Sequence, residues 1–166
     1  MQVKPTSLLE LCQPKAQLPV MHKISDLVEE AIKQFPELLD GYEEHCVLIC
    51  LNDSMQIVGG KTVSIGTDKF TIVEPRVIFR HAILTRGCDA IVLLHNHPTG
   101  DPLPSLPDLH ATARIHEAGE VMGIPLVDHI VIGRDSKSFV PIRGLLNDAP
   151  PSLLEAIFGS RAGSNG

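Results

Sequence analysis

The segment that most restricts the fold of this chain is "DAIVLLHNH", residues 89–97, a short apolar run that ends in two histidines. Continuous apolar character over this length is typical of a strand that is buried on both faces. Such a strand lies inside a sheet that other elements cover from both sides. The chain has 166 residues, which suits one compact domain with a core of ordinary size.

The flanking sequence predicts the other elements of that sheet and its helices. Apolar positions between residues 24 and 35 recur with the spacing of one buried helical stripe, and Pro36 ends that helix. The predicted helices are 22–35, 74–87 and 105–122, and the predicted strands are 43–51, 56–66, 89–97, 125–133 and 137–142. The order after the first helix, ββαβαββ, predicts a mixed α/β (α+β) fold in which helices pack against a mixed sheet.

Composition and the positions of turn-forming residues divide the chain into three parts. We expect an N-terminal arm and helix over 1–40, a core domain over 41–145, and a partly disordered tail over 146–166 that ends in Gly and Ser. The apolar share of 43% and the charged share of 20% are typical of a globular chain. The sequence contains no apolar run long enough for a bilayer and no signal-peptide pattern, so we expect a cytoplasmic protein without membrane association.

Charge and cysteine usage narrow the classes of function. The net charge is −6, opposite to the Lys and Arg excess of most nucleic-acid binders, and therefore gives no support for a nucleic-acid partner. The four cysteines form no C-x-x-C pair, which argues against a zinc ribbon or a thioredoxin-like motif. We interpret them as small hydrophobic residues in a reducing compartment; they are Cys12, Cys46, Cys50 and Cys88.

The end of the central strand carries a candidate metal site. His95 and His97 are two residues apart on a strand and therefore project to the same face, whereas Asn96 points the other way. Two imidazoles in this arrangement can reach one ion. Zinc binds His nitrogens at about 2.0–2.1 Å and requires a third protein ligand in a catalytic site.

Asp108 is the candidate for that third ligand. Ser105-x-x-Asp108 has the form of a capping box, with Ser105 as the N-cap and Asp108 at N3 of the next helix. The helix N-terminus favours a carboxylate, and a proline-rich loop stiffens the return to the strand end. Three protein ligands would leave a fourth position on zinc for a water whose pKa falls toward 7.

Simpler interpretations of the same residues stay open. Ser105 and Asp108 are also explained by helix capping alone. Asp101 lies in a turn and is a second-choice ligand. Asp128 and His129, neighbours on a predicted strand, are assigned a role in the structure or in supporting the metal ligands. His110 lies about 200° around the helix from Asp108 and faces elsewhere, and His116 lies two turns further along, too distant for the same ion, so neither is expected to bind it.

The spacing His95-x-His97-x7-Ser105-x2-Asp108 resembles the JAMM signature of JAB/MPN-domain metalloproteases. The longer string "HNHPTGDPLPS..D", followed by "LVDHIVIG", is similar to the bacterial RadC family within that superfamily, over about residues 44–145. The resemblance implies a curved mixed sheet flanked by helices, the cytidine-deaminase-like JAB/MPN fold. It implies Zn²⁺ as cofactor, held by His95, His97 and Asp108.

The resemblance also assigns the catalytic roles. A glutamate at the start of the first core strand acts as general base, and the matching position is Glu44, with Glu43 as the alternative. Ser105 would stabilise the oxyanion, and Thr99 stands where the family usually has a serine after H-x-H-P. The remaining positions, in the loop or behind the metal ligands, are Asn96, Thr99, Asp101, Asp128 and His129.

The chain departs from the family pattern at two points. The residues before the core show no Gly-centred hairpin of the helix-hairpin-helix type that many RadC proteins carry, which weakens a DNA role. The usual "PREVF" segment reads "PRVIF", with Val77 in place of its glutamate, so Glu44 has less competition as the base.

These observations lead to two hypotheses. The first is a zinc-dependent metallohydrolase, a peptidase or deconjugating isopeptidase, in which Glu44 deprotonates a zinc-bound water and a protein or peptide is the expected substrate. The alternative is a catalytically silent RadC-like scaffold or binding protein associated with DNA repair or recombination. Substrate identity and oligomeric state are not readable from the sequence.

Overall fold

The computed structural model describes residues 21–66, 73–147 and 152, and in this part of the chain it contains one five-stranded mixed sheet with helices on both faces. The predicted mixed α/β class is therefore confirmed. The predicted N-terminal arm and most of the predicted C-terminal tail lie outside the described residues.

The helices and strands follow the predicted order. The strands are β1 (Glu44–Leu51), β2 (Ile57–Gly66), β3 (Ala90–Asn96), β4 (Leu126–Ile132) and β5 (Phe139–Pro141). The α-helices are α1 (Ile24–Gln34), α2 (Pro75–Leu84), α3 (Leu106–Met122) and α4 (Ile142–Asn147), and a 3₁₀ turn spans Pro36–Leu39. None of these helices is long and apolar enough to cross a membrane.

The predicted central strand lies in the middle of the sheet. The strand order is β2-β1-β3-β4-β5; β3 runs antiparallel to β1 and parallel to β4, and the two outer pairs are antiparallel. Helix α3 connects the parallel strands β3 and β4, as a crossover requires. The carboxyl end of β3 and the N-terminus of α3 therefore lie at the same edge of the sheet, the usual position of ligands in α/β folds.

Strand alternation separates two apolar layers. On one face, Val47, Ile49, Val92 and Leu94 pack in a cluster with α1 and the 3₁₀ turn. On the opposite face, the cluster comprises Cys46, Leu48, Cys50, Val73, Ile78, Phe79, Ala82, Ile91, Leu93, Ile115 and Leu126. Cys46 and Cys50 are buried, in agreement with their interpretation as small hydrophobic residues. Cys88 is half-buried, and Cys12 lies outside the described residues.

Two predicted elements are clearly shorter in the structure, and two short elements were not predicted. The predicted strand 137–142 is shorter, since β5 covers only Phe139–Pro141 and is followed directly by the unpredicted helix α4. Helix α2 ends at Leu84 instead of extending to Gly87. The backbone leaves the helix at Thr85, whose ψ of 113° is extended, while its hydroxyl and its N–H still donate to the carbonyl of His81, at 2.8 and 3.0 Å. The 3₁₀ turn after α1 was also not predicted.

Candidate metal centre

The two histidines occupy the carboxyl end of β3. His95 is 2% exposed and lies on the face of the sheet that α3 covers, while His97 follows the strand and is half-buried. Their Nε2 atoms are 3.1 Å apart. The predicted side-by-side orientation is therefore present.

Asp108 reaches the histidines from the first turn of α3. The predicted capping box is present: the Ser105 side chain accepts from the N–H of Asp108 at 3.2 Å, and Asp108 Oδ2 accepts from the N–H of Ser105 at 2.7 Å. The same carboxylate lies 3.2 Å from His95 Nε2 through Oδ1 and 3.1 Å from His97 Nε2 through Oδ2. Helix capping and approach to the histidines are thus two functions of one side chain, not alternatives.

The distances among these groups fit a tetrahedral metal site. Ligands at about 2.0–2.1 Å from zinc in a tetrahedron lie roughly 3.3–3.4 Å from one another. The two histidine nitrogens are 3.1 Å apart, and each lies within 3.2 Å of one Asp108 oxygen, His95 Nε2 of Oδ1 and His97 Nε2 of Oδ2, so the three side chains converge at about this spacing. His95, His97 and Asp108 together form a group whose ligand atoms lie within 4.8 Å of one another.

The hydrogen bond on the far side of His97 determines its tautomer. Its Nδ1 lies 2.9 Å from the carbonyl oxygen of Asp101, which can only accept, so Nδ1 carries the proton. In the neutral imidazole, Nε2 then has a free lone pair directed toward Asp108 and His95. A nitrogen lone pair in this position is suited to a cation.

A buried chain of hydrogen bonds gives His95 the same tautomer. The Thr112 hydroxyl donates to the carbonyl of Asp108 at 2.7 Å, so its oxygen accepts from His129 Nδ1 at 2.7 Å. His129 Nε2 is then the acceptor for His95 Nδ1 at 2.8 Å. Both candidate ligands therefore present unprotonated Nε2 atoms to one carboxylate, the arrangement that outer hydrogen bonds impose on metal-bound histidines.

In the absence of an ion, a proton on Nε2 of these rings would instead be shared with Asp108, and the acid–base properties of the cluster describe that ion-free state. Burial opposes ionisation of Asp108, but hydrogen bonds from His95 and His97 outweigh it and hold its pKa far below the usual range. The hydrogen bond to Asp108 raises the pKa of His97. Burial lowers the pKa of His129, which keeps its ring neutral, as the hydrogen-bond chain requires.

Glu44 lies on the wall of the same site. It is the first residue of β1, half-buried, and lines a pocket of about 50 Å³ with His95, His97 and Asp108. This volume holds a few water-sized groups. Glu43 is exposed and does not line the pocket, so the side chain that faces the site is that of Glu44.

The structure places the other predicted site residues around this pocket. Ser105 lines it, whereas the Asp101 carboxylate accepts from the N–H of Leu103 at 3.0 Å, and only the Asp101 main-chain oxygen contacts a candidate ligand. The Thr99 hydroxyl accepts from the N–H of Asp101 at 3.3 Å and so shapes the loop. His110 and His116 are outside the pocket lining, as predicted.

Asn96 and Asp128 point away from the pocket. Asn96 contacts the segment before β1 on the opposite face of the sheet. Asp128 Oδ1 accepts from the N–H groups of His129 and Arg143, at 2.7 and 3.0 Å. Asp128 thus joins β4 to the start of α4, while its neighbour His129 faces the site.

Two residues with a hydroxyl or thiol group beside the candidate ligands were not predicted. Thr112 completes the hydrogen-bond chain, and its position one helical turn after Asp108 is the sequence signal that could have identified it. Cys46 lines the pocket two residues after Glu44, on the same face of the strand. Burial raises the pKa of its thiol, with the charges of Glu44 and Asp108 adding to the effect.

Comparison with known proteins identifies a matching family and several bacterial relatives. The model of a family described as "RadC-like JAB domain" matches residues 21–144. A UPF0758 protein of Desulforamulus reducens is 35% identical over 156 residues, 87% of this chain and 68% of the relative.

UPF0758 proteins from two other bacteria show higher identity over shorter segments. The one from Bacillus licheniformis is 43% identical over 101 residues, 61% of this chain and 44% of the relative. The one from Listeria innocua is 44% identical over 108 residues, 64% of this chain and 48% of the relative. The chain thus spans about half of the length of these two relatives. Since the family model covers most of the described chain, including every residue of the candidate metal centre, the protein belongs to the RadC-like JAB-domain family.

Proposed function

We propose that the chain is a zinc-dependent hydrolase of amide bonds, a peptidase or an isopeptidase of the deconjugating type. The observation that carries this proposal is the convergence of His95, His97 and Asp108 at 3.1–3.2 Å, beside a glutamate on the wall of the same pocket. Membership in the JAB-domain family supports it.

The donor set is suited to zinc because it combines two neutral imidazoles with one carboxylate. When bound there, zinc would supply Lewis acidity and lower the pKa of a coordinated water. The remaining chemistry belongs to the side chains around it. Their first requirement is a base within reach of the attacking water, and Glu44 is the candidate.

Glu44 would transfer one proton across the reaction. Its carboxylate takes a proton from water as the water oxygen bonds to the amide carbon, and the protonated carboxyl then gives that proton to the nitrogen as the C–N bond breaks. The products are a carboxylic acid and an amine. The second proton of the water leaves with the acid product or its buffer, so the balance closes without any further reactant.

Ser105 would donate to the carbonyl oxygen as it becomes negative. The Ser105 oxygen accepts from the N–H of Asp108, so the single hydroxyl proton is available to donate. Ser105 lines the pocket and is exposed, which leaves its hydroxyl accessible to a substrate. A donor directed at a developing oxyanion contributes about 10²–10³ in kcat.

Metal analysis provides the first test. Purified wild-type chain is expected to contain one equivalent of zinc, His97→Ala to lose it, and the control His110→Ala to retain it, since His110 lies outside the pocket. Absence of zinc from wild type that has been exposed to the metal would contradict the proposal.

The second test compares the two adjacent glutamates. Glu44→Gln is expected to retain zinc and to cleave fluorogenic peptides and isopeptide-linked substrates about 10²–10⁴-fold more slowly. The matched control Glu43→Gln, one residue away and exposed, is expected to cleave them at the wild-type rate. Equal cleavage by wild type and Glu44→Gln would favour the scaffold hypothesis instead.

A further inference from the structure

Asn96 lies between the two candidate ligands but faces the opposite side of the sheet. It is 1% exposed, and all of its amide groups are used. Its Oδ1 accepts from the N–H of His45 at 2.7 Å, and its Nδ2 donates to the carbonyls of Asp40 and Glu43, both at 2.9 Å. A single buried side chain of β3 thus binds the segment that leads into β1.

These hydrogen bonds continue a strand pairing where the backbone pairing stops. The last backbone pair between β1 and β3 is Cys46 opposite His95. In an antiparallel register, the next residue of each strand is His45 opposite Asn96. At this position the His45 N–H is bonded to the Asn96 side chain instead of to a main-chain carbonyl.

Glu44 is the residue that this arrangement fixes. The Glu43 carbonyl belongs to the peptide unit before Glu44, and the His45 N–H belongs to the peptide unit after it. Asn96 binds both, at 2.9 and 2.7 Å, so it restrains the φ and ψ angles of Glu44 from both sides. On its other edge, Glu44 pairs with Gly66 of β2.

We propose that Asn96 is a positioning residue that aligns Glu44 with the metal ligands; this inference rests on the proposed function of Glu44. The strand that supplies His95 and His97 also supplies the side chain that sets the backbone of Glu44. The relative position of base and ligands is therefore set by three hydrogen bonds within one buried side chain, rather than by the loop before β1 alone.

The segment before β1 makes two further contacts on this face, both through Asp40. The Asp40 carboxylate accepts from the N–H of Tyr42 at 2.8 Å and lies 3.2 Å from His45 Nε2. Both contacts are made within the segment, so they shape the loop without joining it to β3. Asn96 supplies the side-chain hydrogen bonds that join this segment to β3, the strand that leads to His95 and His97.

The test uses the zinc-loaded full chain and two substitutions of Asn96. Asn96→Ala removes all three hydrogen bonds, and Asn96→Asp retains the acceptor for the His45 N–H but removes both donors. Asn52→Ala is the matched control, because Asn52 also makes three side-chain hydrogen bonds, in the turn between β1 and β2. The readouts are amide hydrogen exchange followed by NMR, zinc content, and kcat and KM for a fluorogenic peptide.

In Asn96→Ala, we expect the His45 amide to exchange about tenfold faster. We expect zinc to remain at one equivalent, and kcat to fall about 100-fold with little change in KM, the result of a misplaced catalytic group. Asn96→Asp should lower kcat at least as much as Asn96→Ala, because a buried carboxylate oxygen would face the carbonyls of Asp40 and Glu43 without a proton to donate. Asn52→Ala should match wild type in all four readouts.

Several results would overturn the inference. Unchanged exchange at His45 in both Asn96 variants would show that the amide does not hold the segment. Loss of zinc in both variants would mean that Asn96 acts on the ligands and not on Glu44, and faster exchange with unchanged kcat would remove the link to catalysis. Failure of the proposed function is a separate result, namely absence of zinc from wild type or full activity in Glu44→Gln, and the exchange data remain interpretable in either case.

Discussion

Asp108 has more partners than a helix cap requires. One of its oxygens binds the N–H of Ser105 and approaches His97, and the other approaches His95. The capping role could be derived from the S-x-x-D spacing, and the ligand role from the adjacent H-x-H. The hydrogen-bond chain behind His95 could not be derived in the same way, because it requires knowing that α3 and β4 bring Thr112 and His129 together.

Removing the Thr112 hydroxyl tests that chain at a single atom. Thr112→Val keeps the shape of a buried side chain but leaves His129 Nδ1 without its acceptor. Because outer hydrogen bonds orient metal ligands, we expect zinc affinity to fall about 10–100-fold, measured by competition with a chromogenic chelator.

The control for this substitution is Thr85→Val. Thr85 makes the same kind of bond, from its hydroxyl to the carbonyl of His81 four residues earlier, but on α2. It should leave zinc affinity unchanged. Equal zinc affinity for wild type and Thr112→Val would contradict the proposed role of the hydrogen bonds among Thr112, His129 and His95 in fixing the His95 tautomer.

Asp128 permits a prediction about stability and pH. Burial raises the pKa of Asp128, and the N–H groups of Arg143 and His129 only partly offset this. Its folded-state pKa is therefore above the unfolded value, so the associated stability is complete below the unfolded pKa and is lost as pH rises through the folded pKa. Asp128→Asn keeps the Oδ1 acceptor and has no such titration.

We therefore expect wild type to lose stability relative to Asp128→Asn as pH increases from the unfolded value of about 3.8 toward neutrality. Asp128→Ala should be less stable than Asp128→Asn by about 1–3 kcal/mol, because it leaves two buried N–H groups without their acceptor. Urea denaturation of the three proteins across this range measures both effects. Parallel pH profiles for wild type and Asp128→Asn would contradict the first expectation.

Among the elements, the long periodic ones could be predicted and the short ones could not. The strand 89–97 and the helix 105–122 were recognisable from apolar continuity, a capping box and a terminal Gly123, which has the left-handed conformation with φ 68°. The 3₁₀ turn Pro36–Leu39 and helix α4 are too short to show a helical period. Helix α4 depends on a tertiary contact, the hydrogen bond from the Arg143 N–H to Asp128 of β4.

The loop between β3 and α3 should be sensitive at Gly100. Its φ is +75°, which L side chains rarely adopt, and an added Cβ would overlap the Arg134 side chain. Gly100→Ala is expected to cost about 1–2 kcal/mol of stability and to weaken zinc binding, since the loop also supplies the Asp101 carbonyl that binds His97. Thermal unfolding and chelator competition measure the two effects.

Gly144→Ala is the matched control for this loop. Gly144 lies in α4 with open space around its Cα and no left-handed φ, so alanine should be neutral or slightly stabilising there. If Gly100→Ala were as stable as Gly144→Ala and bound zinc as tightly as wild type, the loop would not depend on the conformation of Gly100.

For the molecule as a whole, the metal site depends on the folded sheet, whereas the sheet does not depend on the metal site. Apolar clusters cover both faces of the sheet and do not include the candidate ligands. The described part of the chain therefore has a core that does not require an ion. The ligands, however, come from β3 and from α3, which are brought together only in the folded state.

It follows that zinc should stabilise a chain that is already folded without it. A ligand that binds only the folded state at about 100 times its Kd adds roughly 2.7 kcal/mol, which corresponds to an increase in Tm of about 5–11 °C for a domain of this size. We expect this increase in thermal unfolding of wild type and of His110→Ala, its reversal by a chelator, and its absence in His97→Ala. An unfolded metal-free chain would show that the apolar layers are insufficient alone, and an equal increase in His97→Ala would place the zinc at another group of side chains, such as Asp40, Glu43 and His45, whose ligand atoms also lie within 4.8 Å of one another.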